Sequence, residues 1–401
     1  MSFDILFPEG KLETNKINDL QQETGPTVSA NVIIKVIGVG GGGVNAVNSM
    51  IKAKVSNVEF YAINTDQAML SKSQCDNKIQ IGTDGLGVGG DPQKGKQCAN
   101  ESIDELKDML VGANMIFITT GMGGGTGTGA APVIAKLAKE QGILTVGVVT
   151  RPFTAEGQIR IDNAEKGIKE IKQYTDALII IPNDNAYTYI DEKYPLDTAF
   201  ATIDQVLRRC IESITDTITK IGKHINIDFN DVKRVLSNSK YVVIGLGNGK
   251  DCKEALEKAL ENVFVEGPNI KEAENVLINV SCSNDSPLTL GDNKLLNEVI
   301  KKDFKNCKFS KVGDIIENSL ETRVKISIIA SSTKQATIQT ELFDETISNE
   351  KQNNKEQIGI GNFEKIKNIK KEPIKNIKKD TTQNDIFSKP AYEFWAIKRL
   401  K

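Results

Sequence analysis

The sequence predicts an α/β protein in which a parallel sheet covered by helices is joined by one long helix to a smaller α+β domain. Three observations predict this fold class. Short β-branched runs alternate with helical patterns from residue 31 to about residue 182. Helical spacing of apolar residues then continues without a break from residue 196 to residue 221. A second, shorter alternating block follows and ends near residue 330.

The first block, residues 31–195, is predicted to form a domain. Its β-branched runs predict strands at residues 32–37, 58–63, 114–119, 143–149 and 177–181. Between them, apolar residues three and four apart predict helices at residues 46–54, 130–140 and 161–172. Strands that alternate with helices in this way form a parallel sheet with helices on both faces.

The same periodicities predict a central helix and a second domain after the first block. Residues 196–230 are predicted as a central helix and a loop, because apolar residues recur there at helical spacing: Phe200, Ile203, Leu207, Ile211, Ile214, Ile218 and Ile221. Residues 231–332 are predicted as an α+β domain with strands at 241–244, 276–280 and 324–329 and helices at 252–262 and 294–302. The glycine-rich run at residues 245–250 is interpreted as a turn.

Both ends of the chain are predicted to lie outside the folded domains. Residues 1–30 are polar and turn-rich, which predicts a flexible extension. Residues 333–384 are rich in Gln, Asn, Lys and Glu and contain the sequence IKNIKK twice, which predicts a disordered linker. Residues 385–401 gather Phe387, Tyr392, Phe394 and Trp395 in a short span, and this aromatic cluster outside a core predicts a docking peptide.

The composition argues against several classes of function. The 51 Lys and Arg residues are balanced by 53 Asp and Glu residues, so no overall positive field draws the protein to nucleic acid. Six scattered cysteines and one histidine argue against a disulfide framework and a metal cluster. No apolar run reaches the roughly 18 residues of a spanning helix, and the first residues lack a signal-sequence pattern, so we expect a cytoplasmic protein.

A first glycine cluster occupies residues 38–43, where the first strand turns into the first helix. Glycines let backbone N–H groups approach phosphate oxygens closely, and a helix start adds a favourable dipole. The pattern is also typical of dinucleotide-binding folds, in which Asp66 at the end of the second strand would bind a ribose. A tight turn without any ligand is a further alternative.

A second glycine cluster, at residues 121–129, follows another apolar strand and opens another helix. Because both clusters lie at the carboxyl ends of parallel strands, they are predicted to meet at one edge of the sheet. Two such loops indicate a polyphosphate ligand, with Thr126 and Thr128 as hydroxyl donors. Residues 90–97 nearly spell a P-loop, but Gln97 stands where a Ser or Thr should bind Mg²⁺, and this alternative is rejected.

Several motifs together resemble the tubulin/FtsZ family, in particular its bacterial cell-division members. GGGTGTG at residues 123–129 is the family signature, and GVGGGGVNAV at 38–47, NTD at 64–66 and IPND at 181–184 also match. The resemblance runs from about residue 31 to about residue 330. It implies a tubulin/FtsZ-like fold and a GTPase that binds GTP and GDP together with Mg²⁺.

The resemblance also implies which residues bind the nucleotide. Glu156 and Arg160 would contact the ribose and base, Asn183 and Asp204 would bind the guanine edge, and Phe200 would stack on it. A carboxylate accepts hydrogen bonds from the amino and ring N–H groups of guanine, which adenine does not offer in that pattern. The positions implied for the phosphates are Gly40, Gly41, Gly42, Gly43, Asn45, Gly123, Gly124, Gly125, Thr126, Gly127, Thr128 and Gly129.

The loop after the long helix resembles the synergy loop of the family, which enters the nucleotide pocket of the neighbouring subunit. By that resemblance, Asp228 and Asp231 would orient the attacking water, and subunits would stack head to tail into the filaments of a division ring. Phosphoryl transfer needs mainly positioning and charge management, so two carboxylates and Mg²⁺ are chemically sufficient. On the residues alone, the segment 228–231 is typical of an ordinary helix N-cap.

The chain departs from the family pattern in several places. Lys223 and His224 replace a Gly-Leu-like pair, Ala155 replaces a bulkier apolar residue, and the loop at Gly82 is shorter. The peptide at 385–401 only loosely resembles the family docking motif. Its aromatic cluster leads us to expect docking on a membrane-anchored division adaptor at mid-cell, on the inner face of the membrane. Weak direct contact of the IKNIKK lysines with anionic lipid, or a tail without a partner, are the alternatives.

Two other classes of function stay open on the sequence. An NAD-dependent oxidoreductase would use the first glycine cluster and Asp66, but it would leave the second cluster without a role. A third class is a structural tubulin relative that forms filaments without hydrolysing GTP, or one that moves plasmid DNA; the presence of Asp228 and Asp231 argues against the inert form. The combination of motifs favours the division GTPase.

Overall fold

A computed structural model describes residues 32–333 except 190–192, 194, 238, 240, 262–264, 318, 319 and 321. The predicted N-terminal extension at 1–30, the linker at 333–384 beyond Thr333 and the docking peptide at 385–401 lie outside the described residues. None of the helices within the described ranges is long and apolar enough to cross a membrane.

The first domain is built on a six-stranded sheet in which every neighbouring pair is parallel. The strands lie in the spatial order β3-β2-β1-β4-β5-β6, so the chain winds outward from β1 in both directions. The strands are β1 (Ile34–Val39), β2 (Glu59–Asn64), β3 (Asn77–Gln80), β4 (Met115–Gly121), β5 (Leu144–Arg151) and β6 (Ala177–Pro182).

Helices cover both faces of this sheet. The helices are α1 (Gly40–Lys52), α2 (Gln67–Lys72), α3 (Pro92–Glu101), α4 (Ile103–Leu110), α5 (Gly125–Glu140), α6 (Gln158–Ile171) and α7 (Ala186–Tyr189). Side chains of β4 alternate between the two cores: Phe117 packs in the core that includes α1, and Ile116 and Ile118 pack in the core that includes α5. Because both faces are buried, the strands are continuous apolar runs, as is typical of parallel sheets.

A single long helix, α8 (Leu196–Thr219), connects this sheet to the rest of the chain. Its apolar stripe is buried along Ile203, Leu207, Ile211 and Ile214. The helix ends at Thr219, two residues before the predicted end, and Ile221 is 74% exposed. The helix packs against α1 and β5 of the first domain and then leads the chain to the second domain.

The second domain is a four-stranded sheet with helices against it. Its strands lie in the order β7-β10-β8-β9; β8 and β9 are parallel, and the other pairs are antiparallel. Its elements are α9 (Phe229–Leu236), β7 (Tyr241–Gly249), α10 (Cys252–Glu261), β8 (Asn275–Cys282), α11 (Leu290–Asp303), β9 (Phe309–Ile316) and β10 (Val324–Ser332). The predicted fold class, a parallel sheet joined by a long helix to a smaller sheet domain, is confirmed.

The interpretation of residues 245–250 as a turn is wrong, because Gly245, Gly247 and Gly249 lie within strand β7. The glycines are there because α10 lies against the strand. A Cβ atom on Gly247 would lie 2.0 Å from the carbonyl oxygen of Ala255, and one on Gly245 would lie 2.1 Å from that of Ala259. The missing side chains therefore make room for a helix and not for a reversal of the chain.

Candidate functional site

An open cavity of about 390 Å³ lies at the carboxyl edge of the first sheet, a volume typical of small-ligand sites. The ends of β1, β4, β5 and β6 meet there, as sequence reasoning predicted for the two glycine clusters. The cavity is lined by Val39, Gly40, Gly41, Gly42, Asn45, Thr120, Gly121, Met122, Gly124, Gly125, Thr126, Gly127, Thr150, Pro152, Glu156, Arg160, Asn183, Phe200, Ile203, Asp204 and Leu207.

Two helices begin at the floor of this cavity. Helix α1 starts at Gly40 and helix α5 starts at Gly125, and neither has a side chain that caps its first N–H groups. Uncapped N–H groups at a helix start attract anions, and here two such starts face one cavity. Added Cβ atoms on Gly41 and Gly124 would meet nothing within 4 Å, so both positions are open towards the cavity. The floor therefore fits a ligand that carries several negative oxygens.

The two glycine clusters also contact each other. A Cβ atom on Gly40, whose φ is +71°, would lie 2.8 Å from the backbone nitrogen of Gly127. A Cβ atom on Gly127 would lie 2.0 Å from Oγ1 of Thr120, which donates to the carbonyl oxygen of Val39 at 2.9 Å. The hydroxyls of Thr126 and Thr65 are 2.7 Å apart. The floor is thus fixed by contacts that only glycine permits.

Four of the predicted phosphate-site residues do not line the cavity. Cβ atoms on Gly43 and Gly129 would lie 2.3 Å from the oxygen of Thr119 and 2.0 Å from the oxygen of Pro92, so these glycines let α1 and α5 pack closely on their neighbours. The backbone N–H of Gly123 donates to Oγ1 of Thr128 at 2.8 Å, a bond within the loop. These residues shape the floor without facing it.

The far side of the cavity carries the residues predicted to bind a base. Asn183 begins the turn after β6 and is 6% exposed, and its Oδ1 has no hydrogen-bond partner among the described residues. Phe200 is 40% exposed and packs edge-on against Phe153, with ring centroids 5.5 Å apart. A buried acceptor without a partner costs free energy in the empty protein, so a ligand donor is expected at Asn183.

Asp204 lies one helical turn after Phe200 on α8. Burial raises the pKa of Asp204 from its ordinary value of 3.8 to about 7. A carboxylate in this position is therefore poorly solvated until a ligand donates hydrogen bonds to it. The amino and ring N–H groups of guanine would supply two such donors.

Glu156 and Arg160 lie at the rim and contact each other. Nη1 of Arg160 is 2.9 Å from Oε2 of Glu156, and the other carboxylate oxygen of Glu156 accepts from the backbone N–H of Phe153 at 2.8 Å. Glu156 thus holds the start of its own short turn while it orients Arg160. Of the two residues, only Arg160 has side-chain N–H donors, and those that do not contact Glu156 could bind a ligand.

The two acidic residues predicted to be catalytic lie elsewhere. Asp228 and Asp231 do not line the cavity and cap the first turn of α9. Oδ1 of Asp228 accepts from the backbone N–H of Asp231 at 2.9 Å, and Oδ2 of Asp231 accepts from the backbone N–H of Asp228 at 3.0 Å. The N-cap interpretation is confirmed for the free chain, and the structure does not bring the pair to its own cavity.

Asp231 carries a further contact that the sequence did not predict. Nζ of Lys311, on β9, lies 2.5 Å from Oδ2 of Asp231. Burial raises the pKa of Asp231, but the hydrogen bond from Lys311 and those with Asp228 outweigh it, so the pKa is lowered overall. Asp231 is therefore held ionised.

Several cavity residues were missed by sequence reasoning: Val39, Thr120, Gly121, Met122, Thr150, Pro152, Ile203 and Leu207. Thr120, Thr150 and Pro152 directly follow or end buried strands, and the rule that places ligands at the carboxyl ends of parallel strands could have found them. The sequence pattern does not indicate a ligand contact for Ile203 and Leu207, because both belong to the apolar spacing that predicts the buried face of α8.

A metal ion would find few protein ligands here. The described part of the chain contains no group of three or more His, Cys, Asp or Glu side chains that could hold a metal. A divalent cation at this cavity would therefore be bound mainly by ligand oxygens. Mg²⁺ is typically bound in this way, with substrate phosphates and water completing its coordination.

The candidate ribose ligand of a dinucleotide site, Asp66, does not line the cavity. It is the N-cap of α2, where its carboxylate accepts from the backbone N–H of Met69 at 3.1 Å. Both glycine clusters, in contrast, line the same cavity. This arrangement disfavours the oxidoreductase alternative, in which the second cluster has no role.

Comparison with known proteins identifies the family. The model of the tubulin/FtsZ family GTPase domain matches residues 33–191, which contain the six-stranded sheet. The cell division protein FtsZ of Buchnera aphidicola subsp. Baizongia pistaciae (strain Bp) is 40% identical over 307 residues, which cover 75% of this chain and 79% of that protein. This chain belongs to the tubulin/FtsZ family. Within that family it is one of the FtsZ cell-division proteins, and its first domain is the tubulin-like GTPase domain.

Solved structures of the tubulin/FtsZ family share the fold. An empty FtsZ dimer from M. jannaschii is 36% identical, with a TM-score of 0.68 over 81% of this chain and 93% of that chain. CetZ2 from Haloferax volcanii, solved as a GTPγS-bound protofilament, has a TM-score of 0.64 over 80% of this chain and 100% of that chain. At 19% identity, the CetZ2 match shows the fold alone.

Proposed function

We propose that this FtsZ-family chain binds GTP in the cavity described above and hydrolyses it only where a second copy stacks on that cavity. The phosphates lie on the starts of α1 and α5, against the predicted glycine clusters and Asn45. The guanine edge faces Asn183 and Asp204, with Phe200 against the ring and Glu156 and Arg160 at the ribose side. The unpartnered oxygen of Asn183 and the open floor support this orientation.

One observation carries the proposal: the cavity and the acidic pair lie at opposite ends of α8. Asp204 lines the cavity, and α8 then runs to Thr219, roughly 22 Å farther along its axis. The loop that holds Asp228 follows that far end. The cavity and the acidic pair of one chain are therefore too far apart to act together, and a second copy stacked head to tail would join them.

Exposed apolar side chains at both ends support such stacking. Leu86 and Ile159, near the cavity mouth, are 88% and 81% exposed. Ile221 and Ile225, beside the acidic pair, are also exposed. In the stacked arrangement these side chains would pack against the neighbouring copy and lose their contact with water. Two different patches that fit each other make a contact that does not close, which builds filaments. The similar M. jannaschii protein was solved as a dimer.

Hydrolysis in this arrangement needs positioning and charge. Asp228 and Asp231 of one copy would orient and polarise the water that attacks the γ-phosphate bound by its neighbour. Mg²⁺, held by phosphate oxygens, would neutralise charge that develops on them. Asp231 enters the site ionised, because Lys311 lowers its pKa. Loss of the γ-phosphate would remove a group that both copies contact, and the filament would weaken.

We further propose that the filaments form the division ring on the inner face of the membrane at mid-cell and recruit other division proteins. Residues 385–401, which lie outside the described residues, would dock on a membrane-anchored adaptor. Many weak tails on one filament act together, so a modest affinity of each tail would suffice. Direct contact between the IKNIKK lysines and anionic lipid would add to this attachment.

GTP-dependent pelleting of the wild type beside Asp231→Ala tests the proposal. We expect the variant to bind GTP and to pellet with GTP, because the cavity and the apolar patches are unchanged. Its phosphate release per pelleted subunit should fall by about a hundredfold, the size seen when catalytic positioning is lost. Normal turnover by Asp231→Ala would contradict the catalytic assignment, and a wild type that ignores GTP would contradict the whole proposal.

A further inference from the structure

The loop that leads into the acidic pair is held by one buried residue of the second domain. Asp314 on β9 is 3% exposed. Its Oδ1 accepts from the backbone N–H groups of His224 at 3.1 Å and Ile225 at 2.8 Å, and its Oδ2 lies 2.6 Å from Nδ1 of His224. Three bonds thus join a single carboxylate to two consecutive residues of the loop.

The backbone of Asp314 adds two more bonds to the same loop. Its N–H donates to the carbonyl oxygen of Ile225 at 3.1 Å, and its carbonyl oxygen accepts from the N–H of Lys223 at 2.9 Å. A bridge between Gly222 and Ile315 continues this pairing by one residue. The loop therefore lies along β9 like a short added strand, fixed at its centre by Asp314.

The contact continues from Asp314 to the acidic pair without a gap. Ile227 is 3% exposed and lies over Gly313, where an added Cβ would be 2.7 Å from Cγ1 of Ile227. The next residue is Asp228, whose backbone N–H donates to the carboxylate of Asp231 and whose own carboxylate accepts from the backbone N–H of Asp231. Only Asn226 and Ile227 separate Ile225 from Asp228, and Asn226 is itself bonded within the loop, where its Oδ1 accepts from the backbone N–H of Gly222 at 2.9 Å. A shift of the loop on β9 would therefore move Asp228 with it.

We infer that Asp314, acting through His224, is a positioning residue that sets where Asp228 and Asp231 enter the nucleotide site of a neighbouring copy. This inference rests on the proposed function. His224 and the preceding Lys223 are among the positions at which the sequence departs from the family pattern, so the contact between Asp314 and His224 is a feature of this chain's own residues. The side chain of His224 is 59% exposed, so it adds little to the core and its contact with Asp314 is its main contact there.

A control residue is needed to separate a positioning role of Asp314 from a contribution to folding stability alone. Glu274, before β8 in the same domain, is also buried and accepts three hydrogen bonds: from Thr333 at its backbone N–H and hydroxyl, and from Lys308. Its bonds do not involve the loop at 222–228. Glu274→Ala therefore removes a comparable buried carboxylate and serves as the matched control for Asp314→Ala.

The experiment measures nucleotide affinity, pelleted fraction and phosphate release per pelleted subunit for Asp314→Ala, Asp314→Asn, His224→Leu, Glu274→Ala and Asp231→Ala. We expect Asp314→Ala to lower release per pelleted subunit by about tenfold, because a misplacement of about 1 Å costs catalysis about a hundredfold and the loop keeps its other bonds to β9. Nucleotide affinity and pelleted fraction should stay at the wild-type values. Asp314→Asn, which keeps an acceptor for the two backbone N–H groups, should restore part of the rate.

His224→Leu as a single substitution should lower phosphate release per pelleted subunit. In the Asp314→Ala background it should cause no further decrease, because the two residues act through one contact. Should Asp314→Ala fail to fold, His224→Leu and Asp314→Asn carry the same comparison. Rates for these variants equal to that of Glu274→Ala, while Asp231→Ala is defective, would overturn the positioning role alone. A normal rate for Asp231→Ala would instead overturn the proposed function.

Discussion

Three carboxylates with shifted pKa values illustrate how the surroundings of a residue set its charge. Asp204 is partly buried with no charged partner among the described residues, and burial raises its pKa to about 7. Burial acts on Asp231 and Asp314 in the same direction, but hydrogen bonds from Lys311 and from the loop lower both pKa values overall. Under the proposed function, Asp204 would accept donors from the base, and the lowered pKa values keep Asp231 and Asp314 charged.

The pKa of Asp204 predicts a pH dependence of guanine nucleotide binding. Donors from guanine stabilise the carboxylate, so the pKa of Asp204 falls on binding and a proton is released. Affinity should therefore be constant above about pH 7 and should decrease below it, by at most about tenfold per pH unit. Titration of GDP at pH 6 and pH 8 measures this decrease. In Asp204→Asn the affinity should be lower throughout and independent of pH in this range, and an unchanged slope in that variant would contradict the assignment.

The contact between Lys311 and Asp231 predicts a shift in the pH–rate profile. Lys311→Met removes the hydrogen bond that most lowers the pKa of Asp231, so that pKa should rise and the acidic limb of GTP hydrolysis should move to higher pH. Lys308→Met, which removes an ion pair to Glu274 on the same sheet, is the control. An acidic limb that moves equally in both variants would argue against a special role for Lys311.

Sequence reasoning at this level succeeded where the family resemblance assigned a role to a residue. The resemblance implied that Asn183, Phe200 and Asp204 share one pocket, and all three line the cavity. Lys311 and Asp314 could not be assigned, because their partners lie 80 to 90 residues away in the sequence. Their roles depend on the pairing of β9 with its neighbours, for which the sequence carried no motif.

Secondary-structure elements show the same division. Long elements with a sustained period, such as α8 and the buried strands, were predicted within a few residues. The elements β3, α2, α3, α4, α7 and β9 were missed, because they are short or mix polar and apolar residues, and α9 was indicated only by its N-cap pattern. The apparent P-loop at residues 90–97 lies mostly in α3, where a Cβ on Gly95 would lie 2.4 Å from the carbonyl oxygen of Gly125. Its glycine thus serves helix packing, which sequence spacing cannot distinguish from a phosphate loop.

The glycine clusters predict two opposite outcomes for alanine substitutions. Gly41→Ala and Gly124→Ala place a methyl group in open space, so thermal unfolding of the nucleotide-free protein should be nearly unchanged while GTP affinity falls about tenfold, a loss of about 1.4 kcal/mol. Gly127→Ala places it 2.0 Å from Oγ1 of Thr120, so the nucleotide-free protein itself should be destabilised. Thermal unfolding with and without GTP measures both effects. Equal nucleotide affinity in Gly124→Ala and the wild type would contradict the placement of phosphates on α5.

The packing of α10 on β7 predicts the cost of a side chain at Gly247. Gly247→Ala forces the helix and strand apart and should destabilise the protein by about 1–3 kcal/mol. Gly291→Ala is the matched control, because that glycine lies in α11 with its nearest atom 3.7 Å from an added Cβ, and alanine favours helix. Denaturant unfolding of the two variants gives the comparison. A neutral Gly247→Ala would contradict the packing explanation for the glycine-rich strand.

At the scale of the whole molecule, the cavity and the acidic pair lie at opposite ends of α8, and we propose that they are the two halves of one shared site. The cavity offers helix starts and base contacts, and the far loop offers Asp228 and Asp231 clamped by β9. Exposed apolar side chains lie near both ends. This separation could not be derived from sequence patterns, because it depends on the direction in which α8 leaves the first sheet.

Two variants that lack different halves of the proposed site should therefore complement each other in GTP hydrolysis. Asp231→Ala keeps the cavity and loses a catalytic carboxylate, and Asp204→Leu keeps the acidic pair and loses guanine binding. Each alone should release little phosphate, but a mixture contains contacts in which an intact cavity meets an intact acidic pair. Phosphate release by the equimolar mixture should exceed the sum of the separate rates severalfold. A mixture that gives only the sum would contradict a site shared between copies.

The most direct test is the rate of GTP hydrolysis per molecule of wild-type protein, measured over a dilution series at saturating GTP. A site completed by a second copy predicts that this rate falls steeply towards zero below the concentration at which copies associate, as sedimentation measures it in parallel. A rate per molecule that stays constant on dilution to fully dissociated protein would show that one chain hydrolyses GTP unaided, and the account would be wrong.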